Sequence, residues 1–217
     1  MASPKSAAGS ADVAADRRRQ ILQAAVEVFA ERGFHRTRVA DIARRAGVAY
    51  GLIYHYFDSK DAVLQAVFES NWSVFLKVVR DLRADPSRTA LERMGAVVDL
   101  FLDALEVAPA IMQVVIQEVS RSDRFVEEEK LEAFREGFEL VAGVIADGQA
   151  KGEIRSDVDP LVSAHAFLGA LETVCMGITL LPRAAEGHSP SVKPTVRALL
   201  LDGLRPRASE DMQGASE

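Results

Sequence analysis

The chain has 217 residues, a formal charge of −6 and 48% hydrophobic residues, enough apolar material for one large or two modest cores. Its single cysteine, Cys175, excludes an internal disulfide and a cysteine-based metal cluster, and its apolar helical surroundings suit a buried, inert thiol. The opening MASPKSAAGSADVAADRRR lacks the apolar centre of a secretion signal and no apolar run approaches a membrane span, so a cytoplasmic protein with no membrane partner is expected.

In chain order, residues 1–12 are rich in Ala, Ser and Gly and read as a flexible, disordered arm. A first helix is predicted from about Asp12 to Arg32, with Ile21, Leu22, Ala25, Val28 and Phe29 as its buried stripe and Gly33 as its stop. A short second helix carries Val39, Ile42 and Ala43 on one face and ends at Gly47. A third follows almost at once, with Leu52, Ile53 and Phe57 facing inward and Tyr50, Gly51, Tyr54 and His55 outward. Two short helices about a tight turn, the second bearing exposed aromatics beside arginines, make a helix-turn-helix suited to DNA.

Charge supports this division. Residues 1–60 hold ten Lys and Arg against six Asp and Glu, a balance of +4, whereas the remainder holds sixteen against twenty-six, −10. Arg17, Arg18, Arg19, Arg32, Arg36, Arg38, Arg44, Arg45 and Lys60 can therefore present a positive face to phosphates, while the acidic remainder resists unspecific adhesion to a duplex.

Asp58-Ser59-Lys60-Asp61 supplies a cap and an acidic first turn for a long helix to about Arg83. Asp85-Pro86 repeats a start signal and opens a helix through about Val107, after which Pro109 breaks the chain. A shorter helix spans about Ala110 to Ser120, and a long one runs from residue 124 to Lys151-Gly152, with Glu127, Glu128 and Glu129 on a solvated face. Asp159-Pro160 starts an apolar helix to about Leu181, and Ser189 or Pro190 starts a last one through about Leu204. The fold class expected is all-α: a three-helix helix-turn-helix head and a C-terminal helical body, about nine helices in total.

The spacing T-x-V-x-x-I-A-x-x-A-G-V-x-x-G-x-I-Y-x-Y-F-x-x-K-x-x-x-L over residues 37–64 resembles the DNA-binding domain of TetR-type transcriptional repressors, a likeness that extends over about residues 17–64. Thr37, Val39, Ile42, Ala43, Ala46, Gly47, Val48, Gly51, Tyr54, Tyr56, Phe57, Lys60 and Leu64 carry it. Arg38 and Ala49 depart from the usual hydroxyl residues: Ala49 removes a possible cap, and Arg38 adds a charge that can reach a phosphate. The domains expected are residues 13–58 for DNA binding, 59–205 for effector binding and dimerisation, and 206–217 as a flexible tail.

The expected DNA-binding residues are Thr37, Arg38, Val39, Arg44, Ala49, Tyr50, Gly51, Tyr54, His55 and Lys60. The positive end of the second helix near Arg38 and Val39, and Lys60 at the next helix start, should lean on phosphates. Tyr50 and Tyr54 can pack on a thymine methyl or bond a phosphate, and Gly51 allows close backbone approach. Tyr56 and Phe57 equally suit a role in knitting the head to the first and fourth helices, and His55 that of a surface residue without a base contact.

In the body, Phe75, Val79, Phe101, Leu105, Met112 and Ile116 are candidates for an apolar effector cavity, as are Phe134, Phe138, Phe167 and Met176, although the chain's own core accounts for each of them as well. His165 and Glu172, seven apart on one helix, could add polar groups inside, although a satisfied core histidine explains His165 as well. Residues 110–182 also resemble TetR-type regulators of fatty-acid breakdown, which implies a long-chain acyl thioester as effector. Phe167, Ala170, Val174 and Gly177, with Val192, Val196, Leu199 and Leu200, form apolar stripes on the last two helices, a pattern that suits a dimer face or this chain's own core. The resemblance implies that these build a homodimer, which would grip a palindromic, double-stranded DNA operator.

No cofactor, metal site or enzymatic activity is expected, because neither a nucleophile with its base nor a phosphate loop stands out. The competing classes are a helical interaction module without DNA binding and an all-α enzyme. Salt-dependent binding to a palindromic duplex separates them from a DNA-binding regulator.

Overall fold

The computed structural model describes residues 5–119, 128–180 and 192–207, and these form nine α-helices with no strand among the described residues. They are α1 (Lys5–Arg32), α2 (Val39–Ala46), α3 (Tyr50–Tyr56), α4 (Lys60–Ala84), α5 (Ala90–Val107), α6 (Pro109–Val119), α7 (Glu128–Ala150), α8 (Pro160–Leu180) and α9 (Val192–Asp202). The all-α expectation holds. Helix α1 begins at Lys5, so residues 5–12 stand in helix where composition suggested a flexible arm. Glu127 and the chain between α8 and α9 lie outside the described residues.

Local signals place most of the ends. Gly33, Gly47 and Gly152, each read as a stop, follow α1, α2 and α7 with φ of 76°, 63° and 71°. Ser59 Oγ accepts the Ala62 N–H at 3.0 Å and Asp159 Oδ1 accepts the Val162 N–H at 2.8 Å, so the expected caps open α4 and α8.

The start of α5 differs from expectation. Thr89 Oγ1 accepts the Glu92 N–H at 3.2 Å and Glu92 Oε2 accepts the Thr89 N–H at 2.7 Å, a reciprocal capping box that begins the helix at Ala90. Asp85 instead accepts both the N–H and the hydroxyl of Ser87 and closes a turn. Pro109, expected to break the chain, is the first residue of α6, where its missing N–H costs nothing.

The described residues within Met1–Ser73 and Ala108–Arg121 make one compact unit, and those within Val74–Val107 and Ser122–Glu217 make a second. The first has a core of Ile21, Ala25, Phe29, Ile42, Ile53, Phe57, Val63, Val67 and Val114. Full burial of a side chain such as Ile42 or Ile53 stabilises it by about 2 kcal/mol. In the second, Val79, Met94, Val98, Val141, Ile145, Leu171 and Cys175 are fully buried. Burial, followed by the charge of Glu172, pushes the Cys175 thiol up to about 12, as suits an inert sulfur.

Charged side chains staple this second unit. Arg197 on α9 donates to the Gly95 carbonyl at 2.8 Å and to Asp99 Oδ2 at 2.6 Å on α5, where a side chain in place of Gly95 would collide with the guanidinium. Lys193 adds Asp103 at 2.7 Å. Arg93, only 3% exposed, donates to the Asp85 carbonyl at 2.6 Å and pins the turn before α5.

Candidate nucleic-acid interface

The helix-turn-helix is α2, a three-residue turn and α3. Gly47 adopts the left-handed conformation and donates to the Arg44 carbonyl, while the next N–H, of Val48, reaches back to Ala43 at 3.0 Å. This pairing satisfies carbonyls at the end of α2 and sets the direction in which α3 leaves. Gln20 Nε2 donates to the Ala46 carbonyl at 2.7 Å, and Arg45 is paired with Glu27 and Glu31, so α1 holds the far end of α2.

The outer face of α3 matches the sequence pattern. Ile53 and Phe57 are buried, Leu52 and Tyr56 are half-buried, and Gly51 and His55 are exposed. Tyr50 and Tyr54 are 53% and 44% exposed, large values for aromatic side chains in so short a helix. Tyr56 packs against the core of the first unit, which agrees with its knitting role. A Cβ at Gly51 would meet nothing within 4 Å, leaving its backbone open to close approach from outside. Ala49 stands at the N-cap of α3 without a side-chain hydrogen bond, in keeping with its lack of a hydroxyl.

At the start of α2, Arg38 stands at the N-cap, and Asp41 in the third helical position accepts the Arg38 N–H at 3.1 Å. Asp41 was not singled out from the sequence, because Arg38 disguises the hydroxyl-x-x-acid pattern of a capping box. The Arg38 N–H, followed by the charges of Arg32, Arg44 and Arg38, holds the Asp41 carboxyl below the usual aspartate value despite some opposing desolvation. Arg44 donates to Asp41 at 2.6 Å and remains largely exposed. Val39 is half-buried against the core.

Two residues expected at the DNA face are otherwise engaged. Thr37 is 2% exposed, and its hydroxyl donates to the Gly33 carbonyl at 2.9 Å, so its side chain points inward. Lys60 is half-buried, with its ammonium against the loop between α1 and α2.

The twelve residues proposed for an effector cavity do not share one unit. Met112 and Ile116 lie on α6 in the first, and the other ten lie in the second. Phe75 and Phe101 meet edge to face with centroids 5.5 Å apart. Val79, Leu105 and Phe167 are buried, while Phe134, Glu172 and Met176 are half-buried. His165 stacks on Phe138 at 4.2 Å, and its Nδ1 lies 2.7 Å from the Leu161 carbonyl, which fixes that nitrogen as a donor. Its ring is exposed, so neither an inward polar group nor a core histidine describes it.

On the last two helices, Phe167 and Val196 are buried within the second unit, whereas Leu161, Val162 and Leu199 are exposed at 44%, 67% and 74%. Helix α8 is long and apolar enough to cross a membrane by length and composition alone, where the sequence reading expected no such run, and 28% of that stretch is buried.

The model of the tetR family of bacterial regulatory proteins matches residues 21–67. The chain is 34% identical over 191 residues to the HTH-type transcriptional repressor KstR2 of Rhodococcus jostii, covering 87% of this chain and 91% of the relative. It is 29% identical over 154 residues to the fatty acid metabolism regulator protein of Bacillus subtilis, covering 70% and 78%. The crystal structure of the transcriptional regulator FadR from Bacillus subtilis in complex with stearoyl-CoA shares the fold at a TM-score of 0.72 and 26% identity, covering 86% of this chain and 98% of that one. The chain belongs to the TetR family of bacterial regulatory proteins and is a DNA-binding transcriptional regulator.

Proposed function

We propose that this regulator is a cytoplasmic repressor that grips a palindromic operator as a homodimer and leaves it when a small hydrophobic effector, a long-chain acyl thioester, binds. The observation that carries the DNA-facing assignment is the exposure of Tyr50 and Tyr54 on α3 with open space at Gly51 between them. Tyr50, Gly51, Tyr54 and His55 read or abut the major groove, and Ala49 lets the start of α3 come close. Arg38, Arg44 and the N–H groups near Val39 set position against phosphates. DNA contact belongs to residues 13–58, and effector binding and dimerisation to residues 59–205.

Exposed Leu161, Val162 and Leu199 on two apolar helices favour burial against a second copy over a lone surface. The acyl thioester is supported by the relative named for fatty acid metabolism and by the related structure that holds stearoyl-CoA. A tenfold release needs only about 1.4 kcal/mol of preference for the state that does not bind DNA. The protein acts by binding rather than by catalysis, in keeping with relatives named as regulators.

Binding of the purified chain to a fluorescent palindromic duplex, followed across salt concentrations and then with added stearoyl-CoA, tests this reading. Tyr54→Ala is expected to weaken binding without loss of helix content. Salt-insensitive or absent binding would remove the DNA assignment, and unchanged affinity on adding the thioester would remove the effector class.

A further inference from the structure

We propose that Lys60 acts on the operator as a positioning residue, by fixing the peptide group that opens α2, rather than by meeting a phosphate itself. This rests on the DNA-binding reading above. Lys60 is the first residue of α4, and its ammonium donates to the Phe34 carbonyl at 2.8 Å and to the Thr37 carbonyl at 3.0 Å. It also lies 4.1 Å from the centroid of the Phe34 ring, whose face attracts a cation. Two of the three ammonium donors are thus committed inside the fold.

The Thr37 carbonyl and the Arg38 N–H belong to the same planar peptide group. Lys60 holds the oxygen of that plane and Asp41 holds its N–H at 3.1 Å, so one peptide is gripped at both ends by groups of opposite charge. Each grip polarises the peptide in the sense that strengthens the other. Thr37 secures the loop from inside, with its N–H on the Phe34 carbonyl and its hydroxyl on the Gly33 carbonyl. The orientation of this plane decides where the first free N–H groups of α2 point, and those are the groups offered to a phosphate. One ammonium donor remains beyond these two bonds, and the salt slope decides whether a phosphate takes it. Because Lys60 opens α4, a turn of that helix would loosen the start of α2 through this same link.

The test uses the full-length protein with Lys60→Met, which keeps the apolar stem and removes charge and donors. Hydrogen exchange at the amides of residues 37–42 is measured without DNA, and the slope of log affinity against log salt is measured on the palindromic duplex. The clamp predicts faster exchange at these amides and at least about a tenfold loss of affinity, with the salt slope unchanged within about half a unit. A slope reduced by about 0.9, with exchange unchanged, would instead make Lys60 a direct phosphate contact and overturn the proposal. Asp41→Ala, which removes the grip on the other end of the plane, should accelerate exchange at the same amides, and unaltered protection in both variants refutes the clamp. If the wild-type chain shows no salt-dependent duplex binding, the DNA reading fails, while the exchange comparison still decides whether Lys60 holds the peptide.

Discussion

The hydroxyls of Tyr50 and Tyr54 lie 3.0 Å apart on the exposed face of α3, with their rings edge to face at a centroid distance of 5.3 Å. One proton joins the two phenols, leaving the other free to face outward. The hydrogen bond to Tyr50, then desolvation and the nearby Tyr50 charge, raises the Tyr54 pKa above its ordinary 10.0. Spectrophotometric titration should therefore show Tyr54 ionising above the usual tyrosine range, and Tyr50→Phe should move it back down. Losses of operator affinity in Tyr50→Phe and Tyr54→Phe should be non-additive, as for groups that share a bond. Strictly additive losses would show that each ring meets DNA on its own.

Gly51→Ala should separate folding from binding. The fold leaves open space at this position, so the methyl group meets no protein atom, and replacing glycine within a helix stabilises it by about 1 kcal/mol. A higher melting temperature with weaker operator binding is expected. Unchanged binding would place the DNA surface away from Gly51.

The alternation of inward and outward residues on α3 was legible in the sequence because it is local: Leu52, Ile53 and Phe57 define an inner side without reference to anything else. The inward turn of Thr37 and the engagement of Lys60 were not, since Lys60 lies 26 residues from Phe34 and 23 from Thr37 and meets them only after α1, α2 and α4 have packed. At α5, two start signals a few residues apart competed, and Thr89 with Glu92 prevailed because each satisfies the other's backbone donor. Periodicity also marked Phe167 and Val196 as apolar without revealing that they face their own unit, while Leu199 faces outward.

Leu199→Arg tests the homodimer with little risk to the fold, because that side chain is already exposed. Light scattering is expected to show a monomer with wild-type helix content, since an unpaired charge within an apolar interface is costly. A dimer that survives would move the interface away from this face of α9.

Acid should erode one defined contribution. Hydrogen bonds from Arg155 chiefly lower the Asp157 carboxyl from 3.8 to about 2, assisted by the Arg155 and Arg207 charges. The unfolded chain therefore takes up this proton first, so the stabilisation is complete above 3.8 and is lost as pH falls through about 2. Melting temperatures of the wild type and Asp157→Asn should differ at neutral pH and converge as the pH approaches about 2. A constant difference across that window would mean that the carboxylate contributes nothing through its charge.

Helix α6 completes the first unit from a distance along the chain. Val114 is fully buried in the core with Ile21 and Ile42, Ala110 and Ile111 pack against it, and Gln113 donates to the Ala30 carbonyl at 3.3 Å. The chain leaves this unit after Ser73 and returns at Ala108, with α5 made in between. During synthesis, α1 to α3 thus emerge from the ribosome with one wall of their core still untranslated. A nascent chain stalled before α6 would hold its helix-turn-helix with an open apolar flank, a ready target for chaperones and proteases.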